Sequence, residues 1–411
     1  MSELFLFSYN PYITTMTQYC LFDDLFRNEL LPLTFTKPVS ELRIGILTIR
    51  EKWEKYLGID ICSWKTQDYL SFKFPLQKYS SIVYLSGHVC PTRLLAHQIR
   101  NLEPNQGVWY ENRIVAVRTT TIEETFDIKC YPDIDWVHWN EKLTILSNSW
   151  DLFTFNGEQI QADFELITRG RISEPIPSSC FAQNSENIFI EKGTKITFAS
   201  LNASTGPIYI GSETEIMEGS LIRGPFVIGE HSVVNMGAKI YGPVTVGPHS
   251  KVGGELNTVN IQGFSNKGHD GFLGSSVIGE WCNLGADTNT SNLKNSYVEV
   301  KLWNYTASRF LKTGLQFCGL IMGDHSKCGI NTMFNAGTVV GIGCNIHGSG
   351  YQRNFIPSFS EGGTHGFRVN NLKEVCQTAK KVMARRKQVL TENDIILLSD
   401  VFELTKRYRK Y

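Results

Sequence analysis

From Ile210 onward the chain places an aliphatic residue every six positions: Ile210, Ile216, Ile222, Ile228, Val234, Ile240, Val246 and Val252. The period returns at Ile278 and Leu284, and again at Met322, Cys328, Phe334, Val340 and Ile346, making fifteen hexapeptides. A period of six is not helical, because 3.6 does not divide it. It suits a short strand with one side chain pointing inward, followed by a turn. Glycine directly after the aliphatic residue, as at Gly211, Gly229, Gly247 and Gly253, tolerates the backbone such a turn needs. Three strands of this kind close a triangular coil, and stacked coils bury a continuous aliphatic column. Fifteen hexapeptides therefore predict about five coils of a parallel β-helix. A generic β-sandwich would show period two instead.

The interruptions fall between Val252 and Ile278 and between Leu284 and Met322. Insertions in a solenoid loop out from one face, often the binding face, so both are expected to leave the column. Residues 16–171 read differently. Short apolar runs (Ser81–Leu85, Arg113–Val117) alternate with helix-like stretches such as Leu47–Tyr56, which predicts an α/β domain. A Pro- and Ser-rich linker is expected over 172–190, the β-helix over 191–360, and a basic helical tail over 361–411 that packs on the solenoid and caps its open end. The first fifteen residues are read as an extension, with Met16 an alternative start.

Composition narrows the function. Forty Lys and Arg balance forty Asp and Glu, which argues against nucleic acid or a membrane surface as the main partner. No apolar run approaches the length of a transmembrane helix, and the N-terminus lacks a basic region and cleavage pattern, so a cytoplasmic protein is expected. The ten cysteines form no C-x-x-C pair and no zinc-type spacing; reduced thiols and no bound metal are the expectation.

The first interruption contains Gly268-His269-Asp270-Gly271-Phe272-Leu273-Gly274, followed by Asn283-Leu284-Gly285-Ala286-Asp287-Thr288 and then Asn292. These elements and their spacing resemble the acetyltransferase half of the bifunctional N-acetylglucosamine-1-phosphate uridyltransferase/glucosamine-1-phosphate acetyltransferases, most closely their Bacteroidetes-type relatives. The resemblance covers roughly residues 205–350. It implies a left-handed β-helix, a homotrimer with the site between neighbouring solenoids, acetyl-CoA as co-substrate and an amino-sugar phosphate as acceptor. Chemistry points the same way. Acetyl transfer to an amine needs a base working near neutral pH, which suits an imidazole, and a donor for the oxyanion that develops on the thioester. His269 is the candidate base; the alternative is a loop histidine that caps a bulge. Asn283 and the Leu284–Ala286 backbone are candidates for orientation and the oxyanion, Asn283 equally reading as a turn residue. Lys267 and Lys301 carry charge suited to a sugar phosphate, and the resemblance implies Ala286, Asn292 and Ile330 at the coenzyme, with Asn292 also touching the sugar. Phe272 and Asp287 depart from the tyrosine and glycine of the better-known enzymes. Of the other histidines, His88, His231, His249, His325 and His347 are expected at turns or on the surface.

In the N-terminal half, Leu30–Leu42 (LLPLTFTKPVSEL) resembles a sugar-nucleotidyltransferase segment, but the preceding Asp23–Glu29 holds no glycine to cradle a triphosphate. His88 stands where the resemblance expects a Mg²⁺-binding aspartate. Nucleotidyl transfer from UTP, or binding of a UDP-sugar, would have to use Asp23, Asp24, Lys37 and Arg43, with Mg²⁺ required only if this domain is active. The remaining reading is a domain that binds or scaffolds.

Overall fold

The computed structural model describes residues 18–77, 81–120 and 126–411. The expected N-terminal extension and Met16 lie outside the described residues. The first domain is built on a six-stranded sheet in the order Trp64–Lys65, Gln18–Phe22, Ile82–Ser86, Arg113–Thr119, Gln106–Tyr110, Asp135–His138. The first three strands are parallel, and Arg113–Thr119 runs against them. Alternate residues serve opposite faces, as strand geometry requires. Leu21, Val83, Leu85 and Ala116 meet the helices Ile49–Leu57 and Arg93–Arg100, whereas Cys20, Phe22, Tyr84 and Val117 pack under Phe126 and Tyr131. Helix Ile49–Leu57 begins with a reciprocal cap between Thr48 and Glu51 and ends at the left-handed Gly58.

The second domain is a parallel β-helix with three faces. Face A carries nine parallel strands, from Ile188–Ile190 to Phe355–Ile356. Face B runs from Lys195–Ile196 to Ser360–Gly363, and face C from Phe181–Gln183 to Met333–Phe334. The hexapeptide residues are the inward ones: Ile210, Ile228 and Val246 stack on face A, Ile216, Val234 and Val252 on face B, Ile222 and Ile240 on face C. All are nearly or fully buried, each contributing roughly 1.5–3 kcal/mol of apolar burial.

Four expectations change. The column has nine coils, not about five, and it starts inside the expected linker, where Phe181–Gln183 and Ile188–Ile190 already pair with later coils. Residues 253–277 do not loop out. They form coils that are merely shorter, 15 residues from Val246 to Ile261 and 17 from Ile261 to Ile278 against 18 from Ile228 to Val246. Residues missing at corners shift the inward set out of phase with six without ejecting the chain. The second interruption does project, but its hairpin, Lys301–Asn304 with Arg309–Lys312, folds back onto its own chain. Trp303 stacks on Phe355 at 4.1 Å, Asn304 bonds Glu29, and Tyr305 is buried against Phe35 and Tyr408. The C-terminal helices Leu372–Ala384 and Glu392–Leu404 pack on the solenoid but do not cap it. They run back along the corner between faces A and B, where Arg386 reaches the His249 carbonyl at 3.0 Å and Asn266 at 2.8 Å. The end of face B is met instead by the antiparallel strand Gly366–Val369.

The first domain, the hairpin and the tail all cover face A. Its outward residues Val277, Ile321 and Val339 join one core with Leu21, Trp53, Tyr305 and Leu398. At the corner after face A, Glu213, His231, His249, Phe264, Trp281 and His325 all take the left-handed backbone, φ 55° at His231 and 61° at Trp281. From His231 to His325 the rings stack coil upon coil, with centroids 4.9 Å apart for His231–His249 and 4.3 Å for Phe264–Trp281. His231, His249 and His325 are thus turn residues of a ring ladder.

Candidate functional site

The corner between faces B and C carries the histidine. His269 stands two residues past the inward Lys267, as Met236 does past Val234, Ala286 past Leu284 and Ile330 past Cys328. Those residues form one outward row along the corner. In the coil before His269 the corner is short: residues 253–255 separate the inward Val252 and Leu256, where 235–239 separate Val234 and Ile240. The row therefore has a notch at Gly253–Gly254. A Cβ there would lie 2.5 Å from the Gly268 oxygen or 2.7 Å from the His269 oxygen, so only glycine fits. Asn235 spans the notch and donates to the Gly268 carbonyl at 2.6 Å. His269 is exposed, and among the described residues its imidazole has no hydrogen-bond partner.

Lys267 does not face solvent. It occupies an inward position of face B, in line with Val252, and is 1% exposed. Its Nζ donates to the carbonyls of His269, Asp270 (3.1 Å) and Gly253 (3.4 Å). The expectation that it holds the sugar phosphate finds no support in this placement. Burial pushes its pKa down from 10.5 to about 8, against the weaker pull of Asp270 and Asp287. Between those two values the unfolded chain binds a proton that the folded one releases, so this group's contribution to stability rises with pH across the window. Wild-type stability relative to Lys267→Met should accordingly increase between about pH 8 and pH 10.5. Urea unfolding of the two proteins at several pH values tests this, and a constant difference would contradict it.

The other acyl-site candidates are spread around the same edge. Asn283 lies on the outer row of face B, bonded to Asn266 at 3.1 Å. Ala286 follows His269 along the corner, and Ile330, 70% exposed, follows Ala286. Asn292 sits beyond face C, where its amide donates to Ser275 at 3.2 Å. Phe272 lies on the outer row of face C between them, its ring over Gly274. Lys301, on the hairpin, lines a groove of about 1180 Å³ with Lys294, Arg353, Phe310, Tyr351 and Asn354. Three cations line it and no carboxylate does. Arg353 and Lys294 were not among the sequence candidates; the fold brings them beside Lys301.

The first domain's candidates are not gathered around a phosphate. Asp24 ends the strand Gln18–Phe22 and caps the 3₁₀ helix Leu25–Leu30 through Phe26 N at 2.8 Å. Its other oxygen accepts from Arg113 at 2.6 Å, with Arg113 4.4 Å from the Phe26 ring. His88 lies in the turn after Ile82–Ser86, one of the two expected placements, but it is fully buried there: its ring lies 3.1 Å from Asp24 and 2.7 Å from the Leu146 carbonyl. Burial raises the Asp24 pKa, but His88 and Arg113 outweigh it and hold the carboxyl below its usual range. Asp23 is also committed, accepting from Val39 N at 2.9 Å and Thr66 at 2.5 Å and pairing with Arg27 at 3.3 Å. Lys37 points to the other domain, where it pairs with Glu280 at 2.7 Å and Asp324 at 3.2 Å. Burial works against its charge, yet these carboxylates raise its pKa above the ordinary lysine value. Arg43 exchanges backbone bonds with Gln262 at 2.7 and 2.9 Å and pairs with Glu51 at 3.3 Å. This crevice, at the C-terminal ends of parallel strands, is where open α/β sheets bind ligands. Here it is filled by its own ion pairs. Among the described residues no group of His, Cys, Asp and Glu is placed to hold a metal ion, and the residues in the crevice do not fit Mg²⁺. No helix among them is long and apolar enough to cross a membrane.

Comparison with known proteins adds the following. Residues 19–172 match the family described as Sugar nucleotidyl transferase. The "Bifunctional protein GlmU" of Methanocaldococcus jannaschii is 40% identical over 81 residues, 20% of this chain and 19% of the relative. The match thus spans about a fifth of that relative's length. Two solved structures are also similar, the polySia-specific acetyltransferase NeuO (12% identity, 51% of this chain and 96% of that one) and an Arabidopsis UDP-N-acetylglucosamine acyltransferase (14%, 52% and 80%). Both have a TM-score of 0.25.

Proposed function

We propose that this chain, GlmU-like in joining a sugar nucleotidyl transferase family domain to a hexapeptide β-helix, transfers an acetyl group from acetyl-CoA to the amine of an amino-sugar phosphate, glucosamine-1-phosphate first among the acceptors. The observation that carries the reading is the corner of His269: an exposed imidazole with no hydrogen-bond partner among the described residues, beside a glycine notch, on an edge left open by the first domain and the tail. In the reaction the acceptor nitrogen attacks the thioester carbonyl and His269 takes its proton. The tetrahedral intermediate collapses, the C–S bond breaks, and the thiolate recovers a proton. A backbone N–H or side-chain amide near Ala286 or Asn292 would meet the oxyanion.

The donor's phosphates suit the groove of Lys294, Lys301 and Arg353, which offers positive charge together with the aromatic rings of Phe310 and Tyr351. Arg353→Ala and Lys301→Ala should each raise KM for acetyl-CoA about tenfold while leaving kcat near wild type, as loss of uniform binding does. Initial-rate kinetics at fixed acceptor would show it, and unchanged KM in both variants would remove the groove from the site. A solenoid edge by itself makes a shallow site, so a neighbouring copy is proposed to complete it in a homotrimer. Light scattering at micromolar concentration tests that, and a monomeric mass contradicts it.

A second reading, nucleotidyl transfer with UTP, is favoured by the family match over 19–172. The committed ion pairs of Asp23, Asp24 and Lys37 weigh against it. Free thiol from acetyl-CoA and glucosamine-1-phosphate, and no pyrophosphate from UTP, Mg²⁺ and N-acetylglucosamine-1-phosphate, is the expected outcome. The opposite pair of results would favour the second reading.

A further inference from the structure

Among the described residues Lys267 is the charged member of an inner row that elsewhere holds Ile216, Val234, Val252, Leu284, Cys328 and Ile346. Among the described residues no carboxylate accepts its ammonium, and its three bonds go to backbone oxygens of Gly253, His269 and Asp270. The placement has a physical reason. Buried carbonyls must find donors, and in a regular solenoid the N–H groups of the next coil supply them. The corner before His269 is two residues short, so it brings fewer N–H groups to the stack: the Asp270 carbonyl accepts from Asp287 N of the next coil at 3.0 Å, whereas among the described residues no backbone N–H reaches the carbonyls of 268 and 269. A lysine ammonium carries three donors on a long apolar stem, so it fills the inward position and reaches the corner from within. On the outside Asn235 reaches across the same gap to the Gly268 carbonyl. The corner is therefore gripped from both sides, through consecutive carbonyls at 268, 269 and 270.

We infer that Lys267 is a positioning residue for His269, acting from inside the β-helix through the main chain, with Asn235 as its counterpart outside. This inference rests on the acetyl-transfer reading for its catalytic consequence. Histidine bases are commonly oriented by a hydrogen bond to the second ring nitrogen. His269 has no such partner among the described residues, so the direction of its ring is set by the backbone that carries it. Lys267 fixes that backbone at the histidine's own carbonyl.

The test uses the full chain with Lys267→Met, which keeps the column filled and removes the three donors, and Lys267→Gln, which keeps a shorter amide donor. Hydrogen–deuterium exchange of the segment 268–273 reads the grip without reference to activity. Exchange there should rise at least about tenfold in Lys267→Met, with little change in coils more distant along the column. In acetyl-transfer assays kcat should fall about ten- to a hundredfold, the scale of a small misplacement of a catalytic group, with KM for both substrates within about twofold. Lys267→Gln should recover part of both effects, and it also serves if the Met variant does not fold. Unchanged exchange in 268–273 would overturn the inference, and so would a raised KM for the sugar phosphate at unchanged kcat, which would make Lys267 a substrate ligand. A wild-type protein with no acetyl transfer but with the predicted exchange pattern would overturn the functional reading and leave the grip standing.

Discussion

His269→Ala should lower kcat for acetyl transfer by about a hundredfold or more, the usual worth of a general base. The melting curve and the oligomeric state should stay close to wild type. The imidazole is exposed and makes no hydrogen bond among the described residues, so its removal strands no buried group and leaves the aliphatic column untouched. That separation of activity from stability is the signature to look for. A loop histidine that merely caps a turn would show the reverse, a modest loss of stability and near-normal turnover.

Lys37→Ala should destabilise the protein by about 3–5 kcal/mol, the cost of leaving one partner of a buried ion pair uncompensated. Asp324 is the main reason. Its side chain is 5% exposed, and it also accepts a hydrogen bond from Thr36 at 2.5 Å, whereas Glu280 is partly solvated and screened. The pair spans the two domains, so its loss should also loosen the first domain from face A. Urea unfolding followed by tryptophan fluorescence would record the loss. Asp324→Asn in the Lys37→Ala background should restore part of the stability, because it removes the stranded charge. A loss below about 1 kcal/mol for Lys37→Ala would show that the pair behaves like a surface contact.

The sequence was most informative where one physical rule acts alone. Val246 and Val252 are inward because a period of six on three short faces admits no other arrangement, and the flanking strands bear this out. The rule failed where two constraints compete. Leu256, Ile261 and Leu273 are inward too, but short corners move them out of phase, and Lys267 hides an inward position behind a charge. Reading Lys267 as a phosphate ligand followed from treating charge as a sign of exposure. Its partners are carbonyls, and a sequence does not display carbonyls. Lys37 shows a different limit: Glu280 and Asp324 lie more than 240 residues further along the chain, and only the docking of the first domain on face A brings them together. His88 was likewise out of reach, since its burial depends on Asp24 and on the Leu146 carbonyl. His269 and its glycines were legible because glycine clusters mark places where backbone must approach backbone, as Gly253 does Gly268.

We propose that this corner of the β-helix transfers an acyl group to an amino sugar. This proposal is tested most directly by incubating the full chain with acetyl-CoA and glucosamine-1-phosphate and identifying the sugar product by mass spectrometry. The expected product is a singly acetylated sugar phosphate, with the acetyl group on nitrogen and one free thiol released per molecule formed. Unmodified sugar phosphate after prolonged incubation with a folded, trimeric protein would contradict it.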